Sequence, residues 1–207
     1  MNQESPSIPD AELAQQAQAG SFAAFEELIY RYEHRVHGFV TQFCWNATDA
    51  RDVTQETFVK ASQTMAQFDA RREFAPWLFT IARRKWIDRQ RSAPPTAEGA
   101  MPEAVEEINP AELLAQQEDR QQLWQLARQS LTVNQFQALW LRYAEDMEVR
   151  QIAQVLGKTR VHVKVLLFRA RQILGQQLNP APTLAQAMPT AKINLGDYNK
   201  VSSAKTS

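Results

Sequence analysis

Residues 71–91 read RREFAPWLFTIARRKWIDRQR, and the organisation of the chain turns on this stretch. Phe74, Trp77, Leu78, Ile81 and Ala82 recur at helical spacing, which puts them on one apolar face. Pro76 sits where a first helical turn tolerates it, because the leading N–H groups of a helix have no intrahelical acceptor. Arg83, Arg84, Lys85, Arg89 and Arg91 crowd the second half. With Arg71 and Arg72 they make seven bases against Glu73 and Asp88, in a chain of zero formal net charge. Two readings are open. A basic helix with Trp77, Phe79 and Trp86 threaded among its cations suits phosphate binding and stacking on unpaired bases. An amphipathic helix with a solvated face and core tryptophans has the same pattern.

Upstream, the pattern stays helical. Asp10 is the expected N-cap of a helix running through Leu13 and Ala17 to Gly20. Ser21 caps a second, whose apolar positions are Phe22, Phe25, Leu28, Ile29, Tyr32, Val36, Phe39, Val40 and Phe43. After a polar turn at 46–49, Ala50, Val53, Thr57, Ala61, Met65 and Phe68 repeat the period on a third. No alternating strand pattern interrupts these segments.

Downstream, composition changes at Ser92. Pro94, Pro95, Pro102 and Pro110, with an acidic run that includes Glu98, Glu103, Glu106 and Glu107, read as an extended, flexible acidic linker. A second helical set starts near Ala111, with Leu113, Leu114, Leu123, Leu126 and Ala127 on its apolar positions. Thr132 caps the next helix, lined by Phe136, Leu139, Trp140 and Tyr143. A short helix around Ile152 and Leu156 stops at Gly157, and a basic helix follows with Val163, Leu166, Leu167 and Ala170 on its apolar side. That order is a helix-turn-helix pattern. The expected fold is therefore all-α, with two small helical domains joined by the linker. The boundaries are a lead and short helix at 1–19, a helical domain at 20–91, the linker at 92–110, a helix-turn-helix domain at 111–178 and a disordered tail at 179–207.

Composition narrows the function classes. Cys44 is the sole cysteine among 207 residues, which excludes an internal disulfide and a Cys-based zinc site; between Phe43 and Trp45 it reads as a core residue. His34 and His37 have only Glu33 as a carboxylate neighbour, a poor metal set. There is no Gly-rich phosphate loop and no nucleophile or metalloprotease motif, so neither a cofactor nor an enzyme is expected. The N-terminus lacks a signal-peptide order and no apolar run reaches bilayer length, which makes the expected location cytoplasmic, without membrane insertion.

Several motifs, in order, resemble the small two-domain sigma factors of bacterial RNA polymerase, the extracytoplasmic-function type. AFEELIYRYEHRV (24–36), DVTQETFVKA (52–61) and WLFTIARRKWIDRQR (77–91) resemble the promoter-domain motifs of that family. LTVNQFQALWLRY (131–143), QIAQVLG (151–157) and FRARQIL (168–174) resemble its second domain. The resemblance implies core RNA polymerase and promoter DNA as partners, single-stranded at −10 and duplex at −35. It allows an anti-sigma factor as a third. It places polymerase contacts on Asp49, Asp52, Gln55, Glu56 and Phe58, and −10 contacts on Phe68, Asp69, Arg71 and Arg72. Phosphate contacts fall to Arg83, Arg84, Lys85, Arg89 and Arg91, while Trp77 is assigned to the core. The −35 contacts fall to Arg160, Lys164, Val165, Phe168 and Arg169.

One departure from the family stands in that last helix. Relatives commonly carry Thr-Val-Lys-Ser-Arg-Leu where this chain has His162-Val-Lys-Val-Leu-Leu167. Val161, Val165 and Phe168 then form a second apolar stripe, open to three readings: altered DNA specificity, a protein-facing surface or a weakened reader. The linker is likewise open, as a phosphate mimic in the RNA path or as a solvated tether. The rival function is a stand-alone helix-turn-helix regulator that binds duplex DNA.

Overall fold

The computed structural model describes residues 8–44, 46–92 and 114–178, with backbone alone for 114–121. Eight α-helices and a 3-10 turn make up this part, and no strand occurs among the described residues. They are α1 (Asp10–Gln18), α2 (Phe22–Thr41), α3 (Ala47–Thr64, then the turn Met65–Gln67), α4 (Phe74–Ser92), α5 (Leu114–Ser130), α6 (Val133–Tyr143), α7 (Val149–Leu156) and α8 (Arg160–Leu178). The described residues up to Leu174 form one compact unit, and the end of α8, from Gly175, belongs to a second. The linker, the tail, Ala111, Leu113 and Trp45 lie outside the described residues, and so do the side chain of Leu114 and most of the N-terminal lead.

The helix ends follow local chemistry. Ser21 Oγ accepts the Ala24 N–H, and Asn46 Oδ1 accepts that of Asp49 at 2.8 Å, each satisfying a donor that a helix start leaves free. At α6 the reciprocal half of a capping box is present, with Gln135 Oε1 accepting the Thr132 N–H at 2.9 Å. Gly157 ends α7 at φ 62, a left-handed conformation that glycine adopts without Cβ strain. Asp10 differs from expectation. Pro9 occupies the cap position and Asp10 is the first helical residue, its carboxylate taking Arg31 Nη1 at 2.7 Å and the Tyr32 hydroxyl. The group expected to cap α1 instead ties α1 to α2.

α1 to α4 close around Leu28, Val36, Phe39 and Val40 of α2, Val53 and Ala61 of α3, and Leu78, Phe79 and Ala82 of α4. Phe39 meets the rings of Phe43 and Phe79 edge-on at 5.1 and 5.3 Å, a favourable quadrupole arrangement. The second helical set packs onto this bundle. Phe136 of α6 lies against Trp124 and Trp140 of its own set and against Phe43 of the first, at 5.6 Å. α7 packs against α4, with Glu73 accepting from Gln151 and pairing with Arg150 at 3.7 Å. Because α6 is covered on two sides, even Gln137 is fully buried. Three expected apolar positions, Phe22, Leu123 and Tyr143, are exposed instead.

Candidate polymerase and nucleic-acid interface

Residues 68–73 connect α3 to α4. Asp69 Oδ1 accepts the backbone N–H of Arg71 at 3.2 Å and its Nε at 2.9 Å, and Arg72 Nε stands 3.6 Å from Oδ2. The Arg71 hydrogen bonds hold the Asp69 carboxyl below the usual range. Asp69 is thus the anchor of the loop, and both arginines project from it into solvent. Phe68 is corrected. It is 2 % exposed and packs on Trp77 and Phe74 at ring distances of 4.9 and 6.0 Å, so it supports the loop from inside and presents no face to a base.

The aromatics of α4 follow the core reading. Trp77 sits in that cluster, Phe79 is fully buried, and Trp86 donates Nε1–H to the Phe43 carbonyl at 3.1 Å. Trp77 and Trp86 are half-buried. The cations divide. Arg84 and Arg91 are exposed. Arg89 reaches across to α3, donating to Asp49 Oδ1 from Nη2 at 2.6 Å and from Nε at 3.0 Å, and to Asp52 Oδ2 at 2.9 Å. Lys85 Nζ lies 3.2 Å from Glu56. Arg83 donates Nε–H to Gln137 Oε1 at 2.9 Å and Nη2–H to Asn134 Oδ1 at 3.5 Å, and burial pushes its guanidinium below the usual value.

Two residue sets expected on different surfaces therefore meet. Asp49, Asp52 and Glu56 recur at three and four along α3, and they face the bases at i and i+4 on α4. Each pair is partly solvated, and such pairs contribute only about 0–1 kcal/mol apiece, so an incoming partner can displace them. Phe58 points elsewhere, and Gln55 stands between the two faces, with Asp52, Glu56 and Lys85 on one side of it. Gln55 and Phe58 line a groove of about 870 Å³ between α2 and α3, with Phe22, Ile29, His34 and Val59. Helical spacing misses Val59, and it puts Phe22 on the apolar face of α2, where the ring is instead 72 % exposed at the groove rim. His37 closes the groove base through Nδ1, 3.3 Å from Thr54 Oγ1. Among the described residues, no group of three His, Cys, Asp or Glu is arranged to hold a metal. Cys44 is buried, and burial pushes its thiol up to about 12.

In the second set, Thr159 Oγ1 accepts the His162 N–H at the start of α8. Val163, Leu166, Leu167, Ala170 and Leu174 are buried, and Arg160, Lys164, Val165, Phe168 and Arg169 are all exposed. All five expected −35 residues thus share the outer side of one helix that follows a helix and a left-handed turn.

Residues 28–94 match the family described as sigma-70 region 2, and residues 121–174 match sigma-70 region 4. The chain is a sigma factor of the extracytoplasmic-function type. The sigma-H factor of Pseudomonas aeruginosa is 29 % identical over 182 residues, covering 83 % of this sigma factor and 94 % of the relative. The extracytoplasmic-function sigma-E factor of Escherichia coli is 28 % identical over 188 residues, with coverages of 85 % and 97 %. Among solved structures, CnrH in complex with the cytosolic domain of CnrY aligns with a TM-score of 0.61 at 27 % identity, covering 83 % of this sigma factor and 98 % of CnrH. The Bartonella quintana sigma factor RpoE, solved with the anti-sigma factor NepR, shares the fold at a TM-score of 0.59 and 22 % identity, with coverages of 77 % and 98 %. In this sigma factor the region 2 match takes in α3, the 68–73 loop and α4, and the region 4 match takes in α6, α7 and most of α8. No described helix is long and apolar enough to cross a membrane.

Proposed function

We infer that this chain binds core RNA polymerase and directs promoter recognition, −10 strand opening and transcription initiation. The observation that carries the inference is the pair of matches in one chain, region 2 followed by region 4. Polymerase supplies the chemistry; this chain supplies the address, in the cytoplasm, and has no catalytic role of its own. Residues 20–91 serve polymerase and the −10 strand, 92–110 link, and 111–178 serve the −35 duplex, with 1–19 a lead and short helix and 179–207 a tail.

Polymerase docks on α3, through Gln55 and Phe58 at the α2–α3 groove and through Asp49, Asp52 and Glu56 once Arg89 and Lys85 are drawn off. A polar, acidic helix face pairs naturally with arginines on a partner helix. Arg71 and Arg72 meet the opened −10 strand, with Asp69 holding their loop. Arg84 and Arg91 are free for phosphates, whereas Arg83, Lys85 and Arg89 become so only by exchange. Such contacts give position rather than sequence. Arg83 faces α6, so its share of DNA binding requires the second helical set to leave this face. CnrH was solved with the cytosolic domain of another protein; a comparable partner here, an anti-sigma factor, has the exposed α2–α3 groove to occupy.

The test is run-off transcription with purified core polymerase, on promoters recovered with the complex. Initiation that depends on added chain is the expected result. Tight binding to duplex by the chain alone, with no initiation, would instead make it a stand-alone helix-turn-helix regulator.

A further inference from the structure

The buried side of α8 is made by Val163, Leu166, Leu167, Ala170 and Leu174. Diametrically opposite on the helix run Val161, Val165 and Phe168, spaced at four and three, and 72 %, 41 % and 55 % exposed. The line of α8 farthest from the protein is therefore apolar. Leu166, which replaces a polar residue of the common family pattern, turns inward and is buried; Val165, which replaces the other, turns outward.

Charge flanks this line on both sides. Arg160, Lys164 and Arg171 run along one edge and Arg169 with His162 along the other, all exposed. The helix carries no acidic residue. Arg160, Lys164 and Arg169 make no ion pair with any described residue. A surface for a partner protein would pair an apolar stripe with a mixed polar rim. Two cationic edges around an apolar centre fit the major groove, where phosphates form the walls and base edges the floor. The apolar group that the floor offers is the C5-methyl of thymine.

We propose that Val161, Val165 and Phe168 select the −35 element by contact with thymine methyl groups, while Arg160, Lys164 and Arg169 hold the flanking phosphates. The proposal rests on the reading of the chain as a sigma factor and adds what its −35 element must contain: thymines on the strand that faces α8. Lys164 and Arg169 remain near enough to the floor for a guanine at the edge of the site, but the centre has no hydrogen-bonding side chain to offer a base.

The experiment uses the full chain bound to core polymerase. Its probe is a promoter duplex selected from a library randomised across the −35 positions. Single thymines are then replaced by deoxyuridine, which removes the methyl group and nothing else. Loss of one buried methyl lowers open-complex formation by about fourfold at each contacted position. Val165→Ser, a change at an exposed site, removes the penalty at one position and leaves the others. The proposal is overturned if selection returns no thymines at −35, or if the uracil promoters perform as well as the thymine ones. It is equally overturned if Val165→Ser and Phe168→Ala weaken polymerase binding while the uracil penalty persists at every position, because the stripe would then face protein. In each of those cases initiation still occurs and the sigma-factor reading stands; absence of initiation from any selected promoter would instead sink that reading.

Discussion

The bases of α4 and the bases of α8 present opposite situations. On α4, Arg83, Lys85 and Arg89 direct their donors at Gln137, Glu56 and Asp49, all within the protein. On α8, Arg160, Lys164 and Arg169 stand clear of the fold without an ion-pair partner among the described residues. A polyanion meets α8 ready for it, whereas at α4 it must compete with three carboxylates and with a neighbouring helix. The difference follows from position. α4 is a central helix with α3 on one side and α7 against it, while α8 has one side buried and the other open.

That contrast can be broken by experiment. Phe136→Ala should be the largest perturbation, costing about 3–5 kcal/mol, because the ring is fully buried and touches both helical sets. Denaturant unfolding measures it, and a loss below about 1 kcal/mol would show that the second set contributes little to the unit. Salt dependence tests the cations directly. Neutralising Arg160, Lys164 and Arg169 together should reduce the slope of log K against log salt by about 2.7 for a duplex, at about 0.9 per contact. Neutralising Arg83, Lys85 and Arg89 should reduce the single-strand slope by about 2 if polymerase releases them, at about 0.7 each. An unchanged slope would mean that they stay bound within the protein.

Acid titration separates two carboxylates. Glu145 is buried, accepts Trp140 Nε1–H at 3.3 Å and pairs with Arg35 at 2.9 Å; desolvation outweighs both and raises its pKa. Its folded form therefore favours the proton, and its contribution to stability is present below the ordinary glutamate range and lost as pH rises through the folded value. Asp69 has the opposite sign. Arg71 lowers its pKa, so its contribution is present above the ordinary aspartate range and is lost as pH falls through the folded value. NMR carboxyl titration should place the Glu145 midpoint above that of a free peptide and the Asp69 midpoint below; a peptide-like midpoint would contradict the burial of Glu145 or the Arg71 contact of Asp69. The smallest effect is expected of Lys85→Met, within about 1 kcal/mol of wild type in thermal unfolding, since its pair with Glu56 is half in water.

Helix count and most of the core were legible because they depend on local signals: the Ser21 cap, the polar break at 46, the stop at Gly157, the three-and-four spacing of α2 and α4. The family motifs added the order of the sites. What failed to be legible depends on tertiary company. Asp10 has a capping side chain, but Arg31 and Tyr32, a helix away, take it. Phe68 lies in the loop that the resemblance gives to DNA, yet Trp77 and Phe74 leave a ring-sized space that only packing reveals. Asp49 and Arg89 are forty residues apart, and nothing in either segment states that they touch. Gln137 is polar, so no apolar period marks it as buried; a second covered side of α6 does that.

Gln137 has a further consequence. Its Oε1 takes Arg83, while its Nε2 is buried and meets no acceptor among the described residues. A donor stranded in this way costs roughly 1–3 kcal/mol, which makes the α4–α6 contact self-limiting. Its strength is capped at its own centre, however well the surrounding rings fit. Filling that position with a well-packed methionine would remove the stranded donor, and also an acceptor that Arg83 uses, so the helix pair would be held by shape instead of by polarity. Arg83, half-buried against α6, would then keep only Asn134 as an acceptor, so the change in resistance to unfolding reads which loss is larger, that of the stranded donor or that of the cation's partner.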